Sequence, residues 1–299
     1  MRVLLFALLS CVALPCDAQQ SAALSADEIM ARVAANQDRA EAERTHYVYV
    51  QHARVLSRKG GTVMCEEITD SRIVPTADGS KSELLTISGR QWKKDRYIRY
   101  NELPKQTEAS AAKDDKDSKE DKDDDLRDDN IDLHLVEGMR DGLVKDKSKD
   151  GLAARLFPLT SKNQKEYQYQ LVGRKQKNGR EVFHIRFQPK DKDELTWKGE
   201  AWIDATAFQP VVITTAMARK VPFVARTMLG TNVPGLGFTI VYAPQADGVW
   251  FPASFGSEFG LRIFFLFHRT IVIDAQNRNF EKTHVSSRIV EAEAAVPPQ

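Results

Sequence analysis

Cysteine is scarce in this sequence, which has three cysteines in 299 residues. Two of them, Cys11 and Cys16, lie in an N-terminal segment that we expect to be removed from the mature protein. Cys65 is then the single cysteine left, so an intrachain disulfide is excluded and stability must come from a hydrophobic core. A mature chain of about 280 residues is long enough to bury one without crosslinks. Cys65 sits in an alternating segment and is expected to be a small buried side chain.

An excess of charge of one sign is also missing. The chain has 43 Lys and Arg residues against 42 Asp and Glu residues, a formal net charge of +1. This balance gives no electrostatic reason to expect nucleic acid or an anionic membrane as the main partner. The mixed basic and aromatic stretch Arg90–Tyr97 could belong to a nucleic-acid-binding strand. In a near-neutral chain it is better explained as a solvated sheet face, and we predict no nucleic-acid partner.

Local signatures of catalysis, metal binding and cofactor binding are lacking. The six histidines are scattered without an H-E-x-x-H pair, and one mature cysteine supplies no zinc-binding spacing. There is no G-x-S-x-G motif, and Gly235-Leu236-Gly237 is not followed by the third glycine of a dinucleotide-binding loop. We therefore expect no metal, no cofactor and no enzymatic activity. A hydrolase with dispersed carboxylates stays open as an alternative, because such pairs have no local signature.

Long hydrophobic runs are restricted to the N terminus. Val3–Pro15 supplies about 13 largely apolar residues, fewer than the roughly 20 that a membrane-spanning helix needs. Met1-Arg2 precedes this run and Cys16-Asp17-Ala18 follows it, which is typical of a signal peptide. We predict a signal peptide over residues 1–18, cleavage after Ala18, and a periplasmic mature protein over residues 19–299.

A lipid-anchored form is the alternative to simple cleavage. Leu8-Leu9-Ser10-Cys11 looks like a lipobox, but it would leave an apolar region that is too short. Cys16 follows Pro15, which is unfavourable at that position. The sequence does not decide whether Cys11 or Cys16 is lipidated, and we expect the unanchored form.

Two amphipathic helices are indicated. Ser25 and Glu28 have the spacing of a capping box, which predicts a helix from there to about Glu43. Four apolar residues at four-residue spacing predict a second helix, and we expect its apolar face to pack on the core. These residues are Ile131, Leu135, Met139 and Leu143.

A charged insertion interrupts the chain at residues 105–130. It has almost no apolar residues and cannot bury enough surface to offset the entropy lost on ordering, so we predict a disordered insertion within one domain. Its spaced aspartates invite comparison with a calcium loop. The segment lacks the central glycine and closing glutamate of an EF-hand, and its interleaved lysines would oppose a cation.

The rest of the chain consists of strand-type segments separated by turn residues. His46–Ser57 and Thr62–Val74 are predicted strands, Trp92–Tyr100 is expected to be another, and Asn178-Gly179 predicts a tight hairpin. Gly260–Arg269 is expected to be the most apolar strand, covered on both faces. The predicted fold class is α+β, with a large curved antiparallel sheet.

Two segments are unusually apolar. One is Ile263–Phe267, and the other is the connection Lys220–Gly237, which is too apolar to lie bare on a soluble surface. The simpler explanation is that helices cover one sheet face and the connection packs on the other. The functional explanation is a pocket for an apolar ligand. At about 0.8 kcal/mol per buried methylene, one long acyl chain could contribute roughly 10 kcal/mol without any polar contact.

The order of these features resembles the outer-membrane lipoprotein carrier and lipoprotein-sorting family (LolA-like proteins). The shared features are an export signal, a first helix, two long strands, a mid-chain helix and a β-rich second half. That half contains Gly199-Glu200-Ala201-Trp202-Ile203-Asp204, then Phe208-Gln209-Pro210, and later Asp247-Gly248-Val249-Trp250-Phe251-Pro252. The chain departs from the family in its greater length, its charged insertion and the apolar connection.

The resemblance implies an incomplete antiparallel β-barrel with helices on its concave side and a periplasmic carrier that shields acyl chains. The expected partners are a lipid or a lipidated protein and a membrane-associated donor or acceptor. The candidate ligand-binding residues, taken from the more apolar face of each strand, are Tyr169, Phe183, Phe187, Ile203, Phe251, Phe265 and Phe267. The residues expected to form a lid are Phe223, Met228 and Leu229. The alternative is a non-catalytic envelope sensor that binds a protein partner on the same scaffold.

Overall fold

The computed structural model describes residues 24–76, 79–103, 130–144, 159–191, 196–218, 231–263 and 267–283. The helices in these ranges are α1 (Ala26–Arg44), α2 (Ile131–Val144) and the single-turn α3 (Ser161–Gln164). The strands are β1 (Tyr47–Lys59), β2 (Thr62–Thr76), β3 (Gly79–Lys93), β4 (Arg96–Tyr100), β5 (Tyr167–Lys177), β6 (Arg180–Pro189), β7 (Trp197–Asp204), β8 (Pro210–Met217), β9 (Thr231–Asn232), β10 (Thr239–Pro244), β11 (Trp250–Ile263) and β12 (Phe267–Lys282).

All the strands belong to one antiparallel sheet. Its order is β4-β3-β2-β1-β12-β11-β10-β8-β7-β6-β5, and the short β9 pairs with β11 beside this row. The strands β4 and β5 stand at opposite ends of the row and do not pair with each other. Within the described chain the sheet is therefore not closed, which confirms the predicted α+β fold with an incomplete barrel.

The two long helices lie on the same face of the sheet. Directly opposed residues of paired strands point to the same face, so a line of such partners traces that face across the sheet. The line runs through Ile87, Thr69, Ala53, Ala275, Phe255, Ile240, Ile213, Ala201, Ile185 and Leu171. Ile185 packs in the cluster that contains α1, and Val55, two residues from Ala53, packs in the cluster that contains α2. This face is the concave one.

Helix α1 begins at the predicted capping box. The Ser25 side chain accepts a hydrogen bond from the Glu28 amide at 3.2 Å, and the Ser25 amide donates to Glu28 Oε2 at 2.8 Å. The helix ends at Arg44, one residue beyond the prediction. It buries Ile29, Met30 and Val33 against the inner residues of β5–β8, a set we call the α1 core.

Helix α2 confirms the predicted four-residue repeat. Leu133 and Val136 are buried by the sheet, while Ile131, Leu135, Met139 and Leu143 are partly buried around the same cluster. Their partners come from β1, β2, β11 and β12, and we call this set the α2 core. Its buried sheet residues are Val55, Cys65, Phe259, Leu261, Phe267, Ile271 and Ile273.

Two strand predictions were wrong in their limits. The stretch Trp92–Tyr100 is not one strand, because Lys94 and Asp95 both have positive φ, 47° and 60°, and reverse the chain between β3 and β4. The stretch Gly260–Arg269 is likewise divided, with Ile263 of β11 paired opposite Phe267 of β12. Both reversals lack glycine and proline, so the usual turn signal was missing from the sequence. The expectation of cover on both faces also fails, since Phe267 is buried but His268 is exposed.

Several predictions concern parts of the chain outside the described residues. These are the signal peptide at residues 1–18, nearly all of the insertion at 105–130, and the lid residues Phe223, Met228 and Leu229. Among the described helices, none combines the length and the apolar character needed to cross a membrane.

Candidate ligand-binding surface

A row of three aromatic side chains lies on the concave face at the margin of the α1 core, and its Phe255 end reaches the α2 core. The ring of Trp197 meets that of Phe238 edge-on with centroids 4.9 Å apart, and Phe238 stacks on Phe255 at 5.6 Å. Phe238 is buried, whereas Trp197 and Phe255 are only half-buried. Phe255 packs against both cores. We call these three residues the aromatic row.

The backbone around Phe238 is shaped by a close approach to β8. The Phe238 carbonyl accepts the Thr215 amide at 2.8 Å, and the Leu236 carbonyl accepts the Met217 amide at 3.2 Å. A Cβ atom at Gly237 would lie 2.3 Å from the Thr215 carbonyl oxygen, so glycine is required at this position. This contact holds the segment between β9 and β10 in the sheet and turns Phe238 onto the concave face.

Partly buried aliphatic side chains extend the aromatic row towards α2. Val233, Leu236 and Ile263 are half-buried and pack at the edge of the α2 core. The Ala218 amide donates to the Thr196 carbonyl at 2.8 Å, next to Trp197. The concave face therefore has an incompletely covered apolar strip from Trp197 to Ile263.

One end of α2 is fixed to the sheet by an ion pair. Arg269 of β12 donates from Nε to Asp132 Oδ1 at 2.6 Å and from an NH2 group to Asp132 Oδ2 at 2.7 Å. Ser57 of β1 donates to the same carboxylate at 2.5 Å. Asp132 is buried and lies in the first turn of α2, where a negative charge also interacts favourably with the helix dipole.

The other half of α2 is fixed by a second buried group. Arg140 donates to Glu67 Oε2 at 2.8 Å, and the Tyr100 hydroxyl donates to Glu67 Oε1 at 2.7 Å. The Glu67 side chain is 1 % exposed, and this desolvation raises its pKa although Tyr100 and Arg140 act in the opposite direction. Burial also raises the pKa of the nearby Cys65 thiol to about 12, so this cysteine is not a reactive thiolate.

A separate aromatic cluster lies at the end of the sheet near the start of β1. Phe251 contacts Tyr47 edge-on at 4.9 Å and Phe280 at 4.6 Å, and Tyr49 stacks on Phe280 at 5.2 Å. The Tyr47 hydroxyl donates to Asp247, which lowers the pKa of that carboxyl group. These contacts pack aromatic rings together at this end of the sheet.

A cleft of about 520 Å³ opens between α1, α3 and the start of β5. Asp27, Lys165 and Lys190 line it together with alanines of α1 and the ring of Tyr169. Its walls are mixed in polarity, so it is less suited to an acyl chain than the apolar strip. Burial raises the pKa of the Tyr169 hydroxyl.

The structure places the predicted ligand-binding residues in different surroundings. Phe183, Phe187 and Ile203 are fully buried in the α1 core, and Phe267 is buried in the α2 core. Phe251 belongs to the cluster with Tyr47 and Tyr49, and Tyr169 lines the cleft beside α1. Phe265 lies outside the described residues. The chain does not gather these residues into one pocket, and their contact with a ligand stays a prediction.

Sequence reasoning did not single out the aromatic row. Trp197 does follow the alternation of Ala201 and Ile203, which assigns it to the inner face. Nothing in the sequence brings Phe238 to Trp197, because the irregular segment that carries Phe238 is positioned by backbone contacts at Leu236 and Gly237.

Metal chemistry finds no support in the described part of the chain. Those residues contain no group of three or more His, Cys, Asp or Glu side chains placed to hold a metal ion.

No protein-family model and no curated protein matches this sequence. Among solved structures, the chain is similar to a putative outer membrane lipoprotein-sorting protein domain from Vibrio parahaemolyticus, with 12% identity, a TM-score of 0.36, and coverage of 85% of this chain and 94% of that one. It is also similar to a DUF1329 family protein from Desulfovibrio piger, with 12% identity, a TM-score of 0.38, and coverage of 87% and 94%.

A LolA superfamily protein from Nitrosomonas europaea is similar as well, with 9% identity, a TM-score of 0.31, and coverage of 88% and 95%. Two of these structures are described by the lipoprotein-sorting and LolA names of the family that the sequence resembles.

Proposed function

We propose that the protein is a non-enzymatic carrier that binds an acyl chain of a lipid or lipidated protein along the concave face. The observation that supports this most directly is the aromatic row, in which Trp197 and Phe255 remain half-buried at the margin of the α1 core. Contiguous apolar surface that stays partly accessible commonly marks a ligand-binding or partner-binding site.

The chemistry of the strip matches a hydrocarbon ligand. Leu236 and Ile263 extend the row with aliphatic side chains. The ion pairs of Asp132 and Glu67 lie beneath α2, where their charges are already compensated. An acyl chain on the strip would gain about 0.8 kcal/mol for each methylene removed from water. Such binding needs no polar contact, which agrees with the absence of a local motif.

The proposal places the two helices in different roles. Helix α1 packs apolar side chains on its part of the face, while α2 is held by charged contacts. The ligand would lie against the strip, and the predicted signal peptide would deliver this carrier to the periplasm. A membrane-associated donor and acceptor would exchange the acyl chain with it.

The experiment compares two tryptophans of the same strand. Trp197 points to the concave face and Trp202 to the outer face, where it stacks on His184 at 5.0 Å; both are half-buried. Trp197→Ala and Trp202→Ala would be titrated with a fluorescent acyl probe under conditions where both variants are folded. If about 80 Å² of the Trp197 ring covers the ligand, its loss costs about 2 kcal/mol, or roughly thirtyfold in affinity.

The matched control is expected to bind the probe as the parent protein does. Equal affinity of the parent and Trp197→Ala would contradict the proposed surface. Native mass spectrometry of protein purified from cell envelopes would test the ligand class directly. Co-purified phospholipid or lipopeptide supports the carrier, and a purely ligand-free protein counts against it.

A further inference from the structure

The two ends of the sheet differ in how their outer strands are protected. The strand β5 is packed by α1 and α3 at its start, and a bulge between Leu171 and Gly173 interrupts its middle. Its remaining part carries Arg174, Lys175 and Lys177. Packing by helices and bulges are common devices that keep an edge strand from pairing with another chain. The strand β4 has no bulge, and four of its five residues are exposed.

The register of β4 identifies the backbone groups at its open side. The positive φ angles of Lys94 and Asp95 form a two-residue turn, so the closing pair Lys93–Arg96 exchanges both hydrogen bonds. Hydrogen-bonded pairs alternate along an antiparallel ladder, which makes Gln91–Ile98 the next such pair. The amide and carbonyl groups of Tyr97 and Arg99 therefore point away from β3, towards the side of β4 on which no other described strand lies.

The side chains of β4 combine apolar surface with positive charge. Tyr97 is 38% exposed and Ile98 is 44% exposed. The Tyr97 ring is held by Trp92 at 4.8 Å and by the Arg90 guanidinium at 4.8 Å, so it is a fixed surface. Arg99 is exposed and, within the described residues, has no carboxylate partner.

A second copy of this chain matches the edge less well than an acidic strand does. In antiparallel pairing of two β4 strands, the register that opposes Arg99 to Arg99 places like charges together, and pairing with β5 would bring Arg96 and Arg99 near Arg174 and Lys175. Like charges on directly opposed residues destabilise a sheet. The charges favour an added strand that carries carboxylates.

We propose that β4 is a docking edge for an extended, acidic peptide strand of a protein partner. The strand would add to the sheet through the amide and carbonyl groups of Tyr97 and Arg99. Because alternate residues of the added strand face opposite sides, one set would place carboxylates beside Arg99 and the other would cover Ile98. Several strands of the sheet separate β4 from the aromatic row. The inference is therefore independent of the proposed acyl binding.

The test uses a capped peptide of about ten residues in which Glu and Val alternate. Two controls accompany it: a peptide with Lys in place of Glu, and the Glu peptide with N-methyl groups on alternate amides. The chain beginning at Gln19 is expected to bind the first peptide and to slow hydrogen exchange at the Tyr97 and Arg99 amides. N-methylation is expected to weaken binding by at least about tenfold, since several backbone hydrogen bonds are lost.

Two variants separate charge from backbone pairing. Arg99→Gln removes the charge, while Arg99→Pro also removes an amide that does not pair with β3. Arg99→Pro is expected to weaken binding well beyond Arg99→Gln, with both variants folded by circular dichroism. Equal binding of the N-methylated peptide, or of the Lys peptide, would overturn the inference.

A further outcome concerns the chain's own acidic insertion. If the Tyr97 and Arg99 amides are already protected without peptide, and deletion of residues 105–129 removes that protection, the occupant is internal and a partner strand is ruled out. Unprotected amides in the parent chain that become protected on peptide addition support the proposal.

Discussion

The α1 core and the α2 core attach a helix to the same face of the sheet by different means. Helix α1 is held mainly by apolar contacts around Ile29 and Val33, and its buried Arg44 adds a hydrogen bond to the Trp250 carbonyl. Helix α2 adds two buried charged groups, centred on Asp132 and Glu67. Apolar burial supplies most of the free energy of folding and has little directional preference. Buried ion pairs contribute little net stability, yet they penalise any displaced arrangement.

This contrast bears on the half-buried aromatic row. Moving α2 towards the row would break the contacts of Asp132 with Arg269 and of Arg140 with Glu67. Mutations in the α1 core and in the α2 core should therefore lower the free energy of unfolding for different physical reasons.

The largest effect is expected in the α1 core. Phe183 is 2% exposed, and Phe183→Ala should lower the free energy of unfolding by about 3–5 kcal/mol because it leaves a cavity. Denaturant titration of variant and parent would measure this change. A cost below about 1 kcal/mol would show that the ring is not packed as described.

The next largest loss of stability is expected at the buried ion pair of Arg140 and Glu67, beneath helix α2. Arg140→Ala leaves the Glu67 carboxylate buried without its cation and should cost about 3 kcal/mol at neutral pH. Replacing both partners, as in Glu67→Leu with Arg140→Met, should restore much of that loss. If the double variant is as unstable as the single one, the cost does not come from the unpaired charge.

The pH dependence of stability should also differ between variants of the α1 core and variants of the α2 core. Burial raises the pKa of Glu67 above its ordinary value of 4.5, so the folded state holds this proton more tightly than the unfolded state does. The stability gained from protonated Glu67 is present below pH 4.5, and it is lost as the pH rises through the pKa of Glu67 in the folded state. The cost of Arg140→Ala should therefore shrink between pH 7 and pH 4.5. The cost of Phe183→Ala should change little over the same range, and parallel pH profiles would contradict this account.

The smallest effect is expected at the N terminus of α1. Ser25→Ala removes the side-chain acceptor of the Glu28 amide and should cost about 1 kcal/mol. Thermal melting compared with that of the parent would detect it. Substitution of an exposed residue of the same helix, such as Arg39→Ala, is a suitable control and should lower the melting temperature less.

Local signals predicted the elements better than their arrangement. The Ser25 capping box and the Asn178-Gly179 turn were correct because each depends on residues adjacent in the chain. The reversal at Lys94-Asp95 was missed because lysine seldom adopts positive φ.

The candidate site was harder to predict because it is made by pairing between distant strands. Phe238 and Phe255 come together only after β10 pairs with β11, and no periodicity in the sequence encodes that contact. Apolar alternation identified Phe183 and Ile203 as inward-facing residues. It could not show that α1 covers them while Trp197 stays half-buried.

The central claim is that an acyl chain lies along the aromatic row, and tryptophan quenching by a brominated fatty acid tests it most directly. Variants that keep only Trp197 or only Trp202 report on the concave and outer faces of the same strand. The account predicts strong, saturable quenching of Trp197 and little quenching of Trp202. Equal quenching of both tryptophans, or none at either, would contradict it.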